Sequence, residues 1–180
     1  MRRIVSGLVG IAVLASASTG AAAAQMRGSV GAGTGIAFAL GDFNDNAEKG
    51  WVAHAFGALT SANGVLGVRV NGSFARHSNQ LVDGNTRFVG ALADFLVSPG
   101  SADAKLRPYL LAGAGFMTVR TEAPLGTDSE TKFAFNGGAG LTLRVGDRVG
   151  LFLEGRYLSV QTDPDASTIP LTLGIRVGGF

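Results

Sequence analysis

Thr168-Ile169-Pro170-Leu171-Thr172-Leu173-Gly174-Ile175-Arg176-Val177 is the stretch on which the fold turns. Ile169, Leu171, Leu173, Ile175 and Val177 alternate with Thr168, Pro170, Thr172, Gly174 and Arg176. Successive side chains of a strand point to opposite faces, so this segment has one apolar face and one small or polar face. The alternation recurs upstream. Val149, Leu151, Leu153 and Tyr157 oppose Glu154 and Arg156. Phe133, Phe135, Ala139, Leu141, Leu143 and Val145 oppose Asn136, Gly138, Gly140, Thr142 and Arg144. Leu66, Val68, Val70 and Phe74 oppose Arg69, Asn71 and Ser73. Four more strands are expected over residues 28–41, 50–60, 86–98 and 106–121. In 86–98 the pattern puts Asp94 on the inner face, with Val89, Ala91, Ala93, Phe95 and Val97 outside.

Eight strands follow, joined by short connections of two kinds. Those at 42–49, 77–85, 122–131 and 162–167 are polar; between them come Ser61-Ala62-Asn63, Ser98 to Lys105, and Gly146-Asp147. Asn63-Gly64 and Gly146-Asp147 are hairpin-turn chemistry. A parallel crossover needs a dozen or more residues, so the expected sheet is an antiparallel meander. Eight meandering strands can close on themselves and remove both exposed edges. The expected fold is therefore all-β, an eight-stranded antiparallel up-and-down β-barrel.

Composition narrows the class. The chain has 180 residues, no cysteine, 28 glycines, 46% hydrophobic and only 16% charged residues. Disorder, a collagenous repeat and a disulfide scaffold are excluded. The isoelectric point near 9.4 points to nucleic acid only at first sight. Arg2 and Arg3 belong to a leader: a charged start, an apolar run from Ile4 to Ala17, then Ala21-Ala22-Ala23-Ala24 before Gln25. This is the pattern of a cleaved secretory signal peptide over residues 1–24, leaving a single domain over 25–180. Without those two arginines, 13 basic residues face 13 acidic ones. No basic stripe remains for a phosphate backbone, and no nucleic-acid partner is expected. No other apolar run is long enough for a transmembrane helix.

Alternation alone does not say which face is wet. Three observations put the apolar face outward, in a bilayer. The other face carries Gly, Ala, Thr, Asn and isolated charges, while Lys49, Lys105 and Lys132 lie at strand ends or in loops. The polar-face charges can pair among themselves: Arg69, Arg144, Arg156 and Arg176 against Asp94 and Glu154. In a narrow lumen such charges are tolerated only as a paired, hydrogen-bonded network. Each strand also offers roughly the 9–11 residues that a tilted membrane strand needs. A transmembrane β-barrel with a lumen plug built from those six residues is the expectation.

The arrangement resembles the small outer-membrane β-barrels of OmpA/OmpX type, the porin-family or outer-membrane β-barrel-domain proteins. The resemblance is carried by Gly31-Ala-Gly33-Thr-Gly35 to Leu40-Gly41-Asp42-Phe43, by Pro108-Tyr109-Leu110-Leu111-Ala112-Gly113-Ala114-Gly115, by Glu154-Gly155-Arg156-Tyr157 and by the closing Leu171 to Arg176. It covers all of residues 25–180. It implies residence in the outer membrane of a Gram-negative-type envelope, with outer-membrane lipids, periplasmic chaperones and the barrel-assembly machinery as partners. In that family the last strand ends in an aromatic assembly signal, which makes Phe180 its counterpart. Here Val177 holds the in-phase position and Gly178-Gly179 set Phe180 one step out of register, which a terminal bulge or tail would correct.

Other motifs yield to simpler readings. Gly31-Ala32-Gly33-Thr34-Gly35 lacks the helix and acidic partner of a nucleotide loop and reads as glycines in a curved strand. His77 and Ser78 are adjacent, so their side chains diverge, and a polar loop fits better than a catalytic triad. His54 is the other histidine, and no ligand spacing for a transition metal is present. Asp42, Asp45, Glu48, Asp83, Glu122, Asp128, Glu130, Asp163 and Asp165 make the outer connections acidic. They read as solvated loops, with Ca²⁺ or Mg²⁺ binding the alternative. Trp51, Phe43, Phe74, Phe116, Tyr109 and Tyr157 are candidates for interfacial girdles. No nucleophile–base pair is visible, so neither an enzyme nor a cofactor is expected. The functional expectation is a structural or surface-interaction role. A narrow channel for ions or small solutes is the first alternative. An exported soluble lipocalin-like carrier is the second.

Overall fold

The computed structural model describes residues 26–40, 49–78, 85–101, 103–123, 126–162 and 166–179. The leader over 1–24, Phe43, Phe180 and most of the acidic loop residues lie outside them. Eight strands follow in chain order: β1 (Met26–Leu40), β2 (Gly50–Ser61), β3 (Leu66–Ser78), β4 (Asn85–Val97), β5 (Leu106–Ala123), β6 (Gly126–Arg144), β7 (Val149–Val160) and β8 (Ala166–Gly178). Each pairs antiparallel with its neighbours in sequence, and β1 with β8 closes the barrel. No edge remains to template pairing with another chain.

The strands are longer at one end than the sequence pattern suggests. The polar segment 122–131 is not a loop: β5 runs to Ala123, β6 starts at Gly126, and these two residues pair. Likewise β3 continues to Ser78 and β4 starts at Asn85. Backbone pairing does not need apolar side chains. A strand leaving a bilayer can continue as a hairpin in water with threonine, serine and charged residues on both faces.

The apolar face points outward on every strand. Val30, Ile36, Val68, Val70, Val89, Phe95, Leu110, Phe116, Leu141, Leu153, Leu173 and Ile175 are all exposed. That is inside-out for a water-soluble barrel and sets aside the soluble-carrier alternative. Asp94 is buried while Ala91, Ala93 and Phe95 are exposed, as the alternation predicts. Aromatic pairs lie on this outer wall: Trp51 with Phe74 at 5.1 Å, Phe116 with Phe133 at 5.9 Å, and Phe135 with Tyr157 at 6.5 Å. Tyr109 is not among them. It is buried on the inner face, because it shares the phase of Arg107 and Leu111.

The lumen is packed in layers. Towards the loop end lie Val52, Ala75, Phe88, Leu92, Met117, Leu158 and Val160. Towards the end that holds both termini lie Phe56, Ala58, Leu96, Tyr109, Leu111 and Phe152. The glycine run of β1 makes the second layer possible. A Cβ on Gly31 would enter the Phe56 ring, and one on Gly33 would sit 2.8 Å from the Phe152 ring and 3.0 Å from His54 Nε2. The run is thus a smooth strip of wall against which large side chains fold. At the end of β8, Gly178 has φ +136°, a conformation open to glycine, and its amide bonds to the Arg148 carbonyl.

Depth on the outer wall sets the cost of a charge. Val70 is mid-strand and 63% exposed, so Val70→Arg is expected to destabilise by about 2–4 kcal/mol. Leu106→Arg, at the rim, is expected to cost about 0–1 kcal/mol. Urea unfolding in phospholipid vesicles measures both; equal costs at the two positions would contradict the outward, membrane-embedded face.

Candidate functional site

Between the two apolar layers the lumen is crossed by charge. Arg69 comes from β3, Asp94 from β4, and Glu154 and Arg156 from β7. Each is inward by strand alternation, and all four are buried. Glu154 and Arg156 are two apart and therefore share a face. Arg69 and Asp94 are direct cross-strand partners.

Arg69 is the bridge. Its Nε and Nη2 donate to Asp94 Oδ2 at 3.1 and 3.0 Å, and its Nη1 donates to Glu154 Oε2 at 2.7 Å. One guanidinium thus ties β4 to β7 across the bore. Arg156 Nε donates to Glu154 Oε1, and its Nη1 lies 3.6 Å from Asp94 Oδ2. Two cations and two carboxylates make a neutral cluster. Neutral side chains add further hydrogen bonds to both carboxylates. Tyr109 OH donates to Glu154 Oε2 at 2.8 Å, Asn71 Nδ2 to Asp94 Oδ2 at 2.8 Å, and Asn136 Nδ2 to Asp94 Oδ1 at 2.9 Å. Asn71 Oδ1 accepts from Arg156 Nη1 at 3.3 Å. His54 Nδ1 lies 3.2 Å from Arg156 Nη2. The Arg69 guanidinium also stacks over Phe56 at 5.0 Å. The cluster draws on β2 through β7 and so braces the barrel across its width.

Four of the six charged residues read from the sequence meet here. The other two do not. Arg176 lies nearer the termini, where its Nε donates to Ser29 Oγ at 3.1 Å. Arg144 sits at the last residue of β6, paired with Gly150 beside the turn. The reason is distance along the bore. Parity puts a residue inside, but only register sets its height, and both arginines are several residues closer to the strand ends than Glu154. Arg107 joins their layer. It is buried, bonds the Gly64 carbonyl at 2.7 Å and Ser98 Oγ at 3.3 Å, and lies within electrostatic reach of Arg144. Arg107 and Arg176 line a cavity of about 30 Å³ with Thr60, Ser98 and Thr142, room for water or a small ion.

His77 is corrected as well. It is no loop residue: β3 carries it inward and it is fully buried, edge-on to Phe88 at 5.8 Å. Extending the β3 alternation from Arg69 by eight residues would have found it. The sequence reading missed the roles of Tyr109, Asn71, Asn136 and His54; the signal was there in their inward phase. Glu130 pairs with Lys132 at 2.8 Å, and the other acidic loop residues have no described side chain.

A closed eight-stranded barrel with a lipid-compatible outer wall and a charge-filled lumen defines the class: an integral outer-membrane β-barrel. The profile of the outer membrane protein beta-barrel domain matches residues 9–176, and the chain belongs to that family. No curated protein matches the sequence. Solved structures share the fold. Neisserial surface protein A is 16% identical with a TM-score of 0.61, over 84% of this chain and 96% of its own. Ail, the attachment invasion locus protein of Yersinia pestis, solved with the heparin analogue sucrose octasulfate, is 18% identical at 0.58, over 84% and 99%. A major outer membrane protein from Thermus thermophilus is 14% identical at 0.62, over 85% and 99%. The protein resides in the bacterial outer membrane.

Breaking one side of a buried ion pair strands the other charge and typically costs about 3–5 kcal/mol. Glu154→Gln and Arg69→Met are each expected to lose stability on that scale. Arg176→Gln, outside the cluster, is expected to lose clearly less. Urea midpoints of the refolded barrel give the comparison; equal losses would mean that the cluster is no brace.

Proposed function

We propose that this protein is a closed structural and surface-interaction barrel, with the Arg69/Asp94/Glu154/Arg156 cluster as its lumen plug. The observation that carries the reading is the bridge from Asp94 through Arg69 to Glu154, which spans the bore between two apolar layers. A permeation path would have to break several charge-assisted hydrogen bonds at once. The lumen is accordingly a brace, and interaction with the surroundings falls to the outer wall and the polar connections. In this reading residues 1–24 are removed on export, both termini face the periplasm, and Phe180 is the assembly signal read by the barrel-assembly machinery. In this reading the protein is not an enzyme.

A channel is the competing reading, and the cavity at the terminal end of the lumen is what favours it. Planar-bilayer recording separates the two. Purified barrel is expected to give no stepwise conductance, and Arg156→Ala is expected to open the bore and produce it. Steady wild-type conductance would establish the channel instead. Membrane insertion itself is checked on the carbonate-washed outer-membrane fraction. The folded barrel is expected to resist cold SDS and to change mobility on boiling.

A further inference from the structure

The end of the lumen that holds both termini contains a buried cation whose partners are all neutral. Arg107, the second residue of β5, is 6% exposed. Its phase turns it inward, opposite Thr142 of β6 in the register. Nη2 makes its hydrogen bonds, to the Gly64 carbonyl at 2.7 Å and to Ser98 Oγ at 3.3 Å. Nε, which is buried, and Nη1 have no acceptor among the described residues. Nor is any carboxylate among those residues ion-paired with Arg107. Asp94 and Glu154 are held by Arg69 and Arg156, and Asp103, in the β4–β5 connection, is exposed. A guanidinium withdrawn from water needs a counter-charge, and its buried N–H needs an acceptor. The described side chains supply neither.

There is a place for both. Arg107 lines a cavity of about 30 Å³ at the mouth of the bore, with Thr60, Ser98, Thr142 and Arg176 among the other walls. No acidic side chain lines it. The Thr60 and Ser98 hydroxyls donate elsewhere, to the Arg27 and Pro108 carbonyls at 3.2 and 2.8 Å. Donation into the cavity therefore falls to Arg107, to the Thr142 hydroxyl and to Arg176, whose Nε is held by Ser29 Oγ at 3.1 Å. Arg107 is also fixed in place. Gly64 has φ +70°, and a Cβ there would stand 2.7 Å from Nη2, so the bare turn lets the guanidinium rest on it. Volume then selects the ligand. One water needs about 10–15 Å³ of such space, so the cavity takes a pair of waters or a single halide ion. Phosphate or sulfate, with four oxygens around a central atom, would not fit.

We propose that this cavity is a binding site for a small monovalent anion, with chloride its occupant, held by Arg107, Arg176 and the Thr142 hydroxyl. Water would give the guanidinium an acceptor but no counter-charge; an anion gives both, through hydrogen bonds stronger than neutral ones. The bound ion ties the β2–β3 turn, through Arg107, to β6 and β8. It stabilises the folded barrel because the unfolded chain has no such site. The site goes beyond the plug reading and stands whether or not the bore conducts, since it lies at the terminal mouth and in a different layer from Glu154.

Chloride dependence of stability is the test. The barrel is refolded into phosphatidylcholine vesicles in sodium gluconate, whose anion is too large for the cavity. Gluconate is then replaced stepwise by chloride at constant ionic strength, and the urea midpoint is followed. A saturable rise with chloride is expected. In R107M half-saturation should need about tenfold more chloride, the loss of one hydrogen bond to a charged group. R148Q removes an exposed arginine from the β6–β7 turn at the same end and should leave the response unchanged. Heat-dependent gel mobility shows whether R107M has folded; if it has not, a wild-type crystal soaked in bromide carries the test, with an anomalous peak expected within hydrogen-bond distance of Arg107. No chloride effect in the wild type, an equal effect in folded R107M, an equal loss in R148Q, or a bromide-soaked cavity that holds only water would each overturn the proposal.

Discussion

Asp94 and Glu154 lie in the middle of a closed barrel, and much of the lumen is arranged so that neither charge is alone. A carboxylate without partners at that depth is prohibitive, because no bulk water reaches it and desolvation exceeds any gain from packing. Arg69 holds both carboxylates at once, Arg156 adds a second cation to each, and Tyr109, Asn71 and Asn136 donate further hydrogen bonds to them. The residues come from five strands. Any slip of register would separate them, so the cluster specifies one pairing of the sheet while it fills the bore.

The outer wall obeys the opposite rule. In a bilayer there is no gain in turning apolar side chains inward, and every backbone amide must be paired within the protein. Closure of β1 on β8 satisfies the backbone, and the exposed aliphatic face satisfies the lipid. The two faces of each strand thus meet two solvents, hydrocarbon outside and a polar interior inside.

Small residues link the two halves of the design. Gly31 and Gly33 on β1 leave the wall bare where the Phe56 and Phe152 rings and His54 stand. An eight-stranded bore cannot accommodate large side chains from every strand. One strand supplies space so that others can supply arginine, tyrosine and phenylalanine. In the proposed reading, the packed lumen leaves the protein's dealings with the cell to its surfaces.

The period-two alternation by itself determined the strands, the inward and outward faces of β3, β4 and β6 to β8, the antiparallel meander and the placement of Arg69, Asp94, Glu154 and Arg156 inside. These are local properties: parity is carried by each residue and its neighbours, and connection length excludes crossovers. Tertiary structure decided height and contact. Parity could not tell that Arg144 and Arg176 lie in a different layer from Glu154, that Tyr109 reaches Glu154, or that β5 and β6 continue past the membrane to Ala123 and Gly126. Those outcomes depend on register between strands far apart in sequence. The cavity beside Arg107 is the clearest case. Thr60, Arg107, Thr142 and Arg176 come from four different strands, and only the closed barrel sets them around one space.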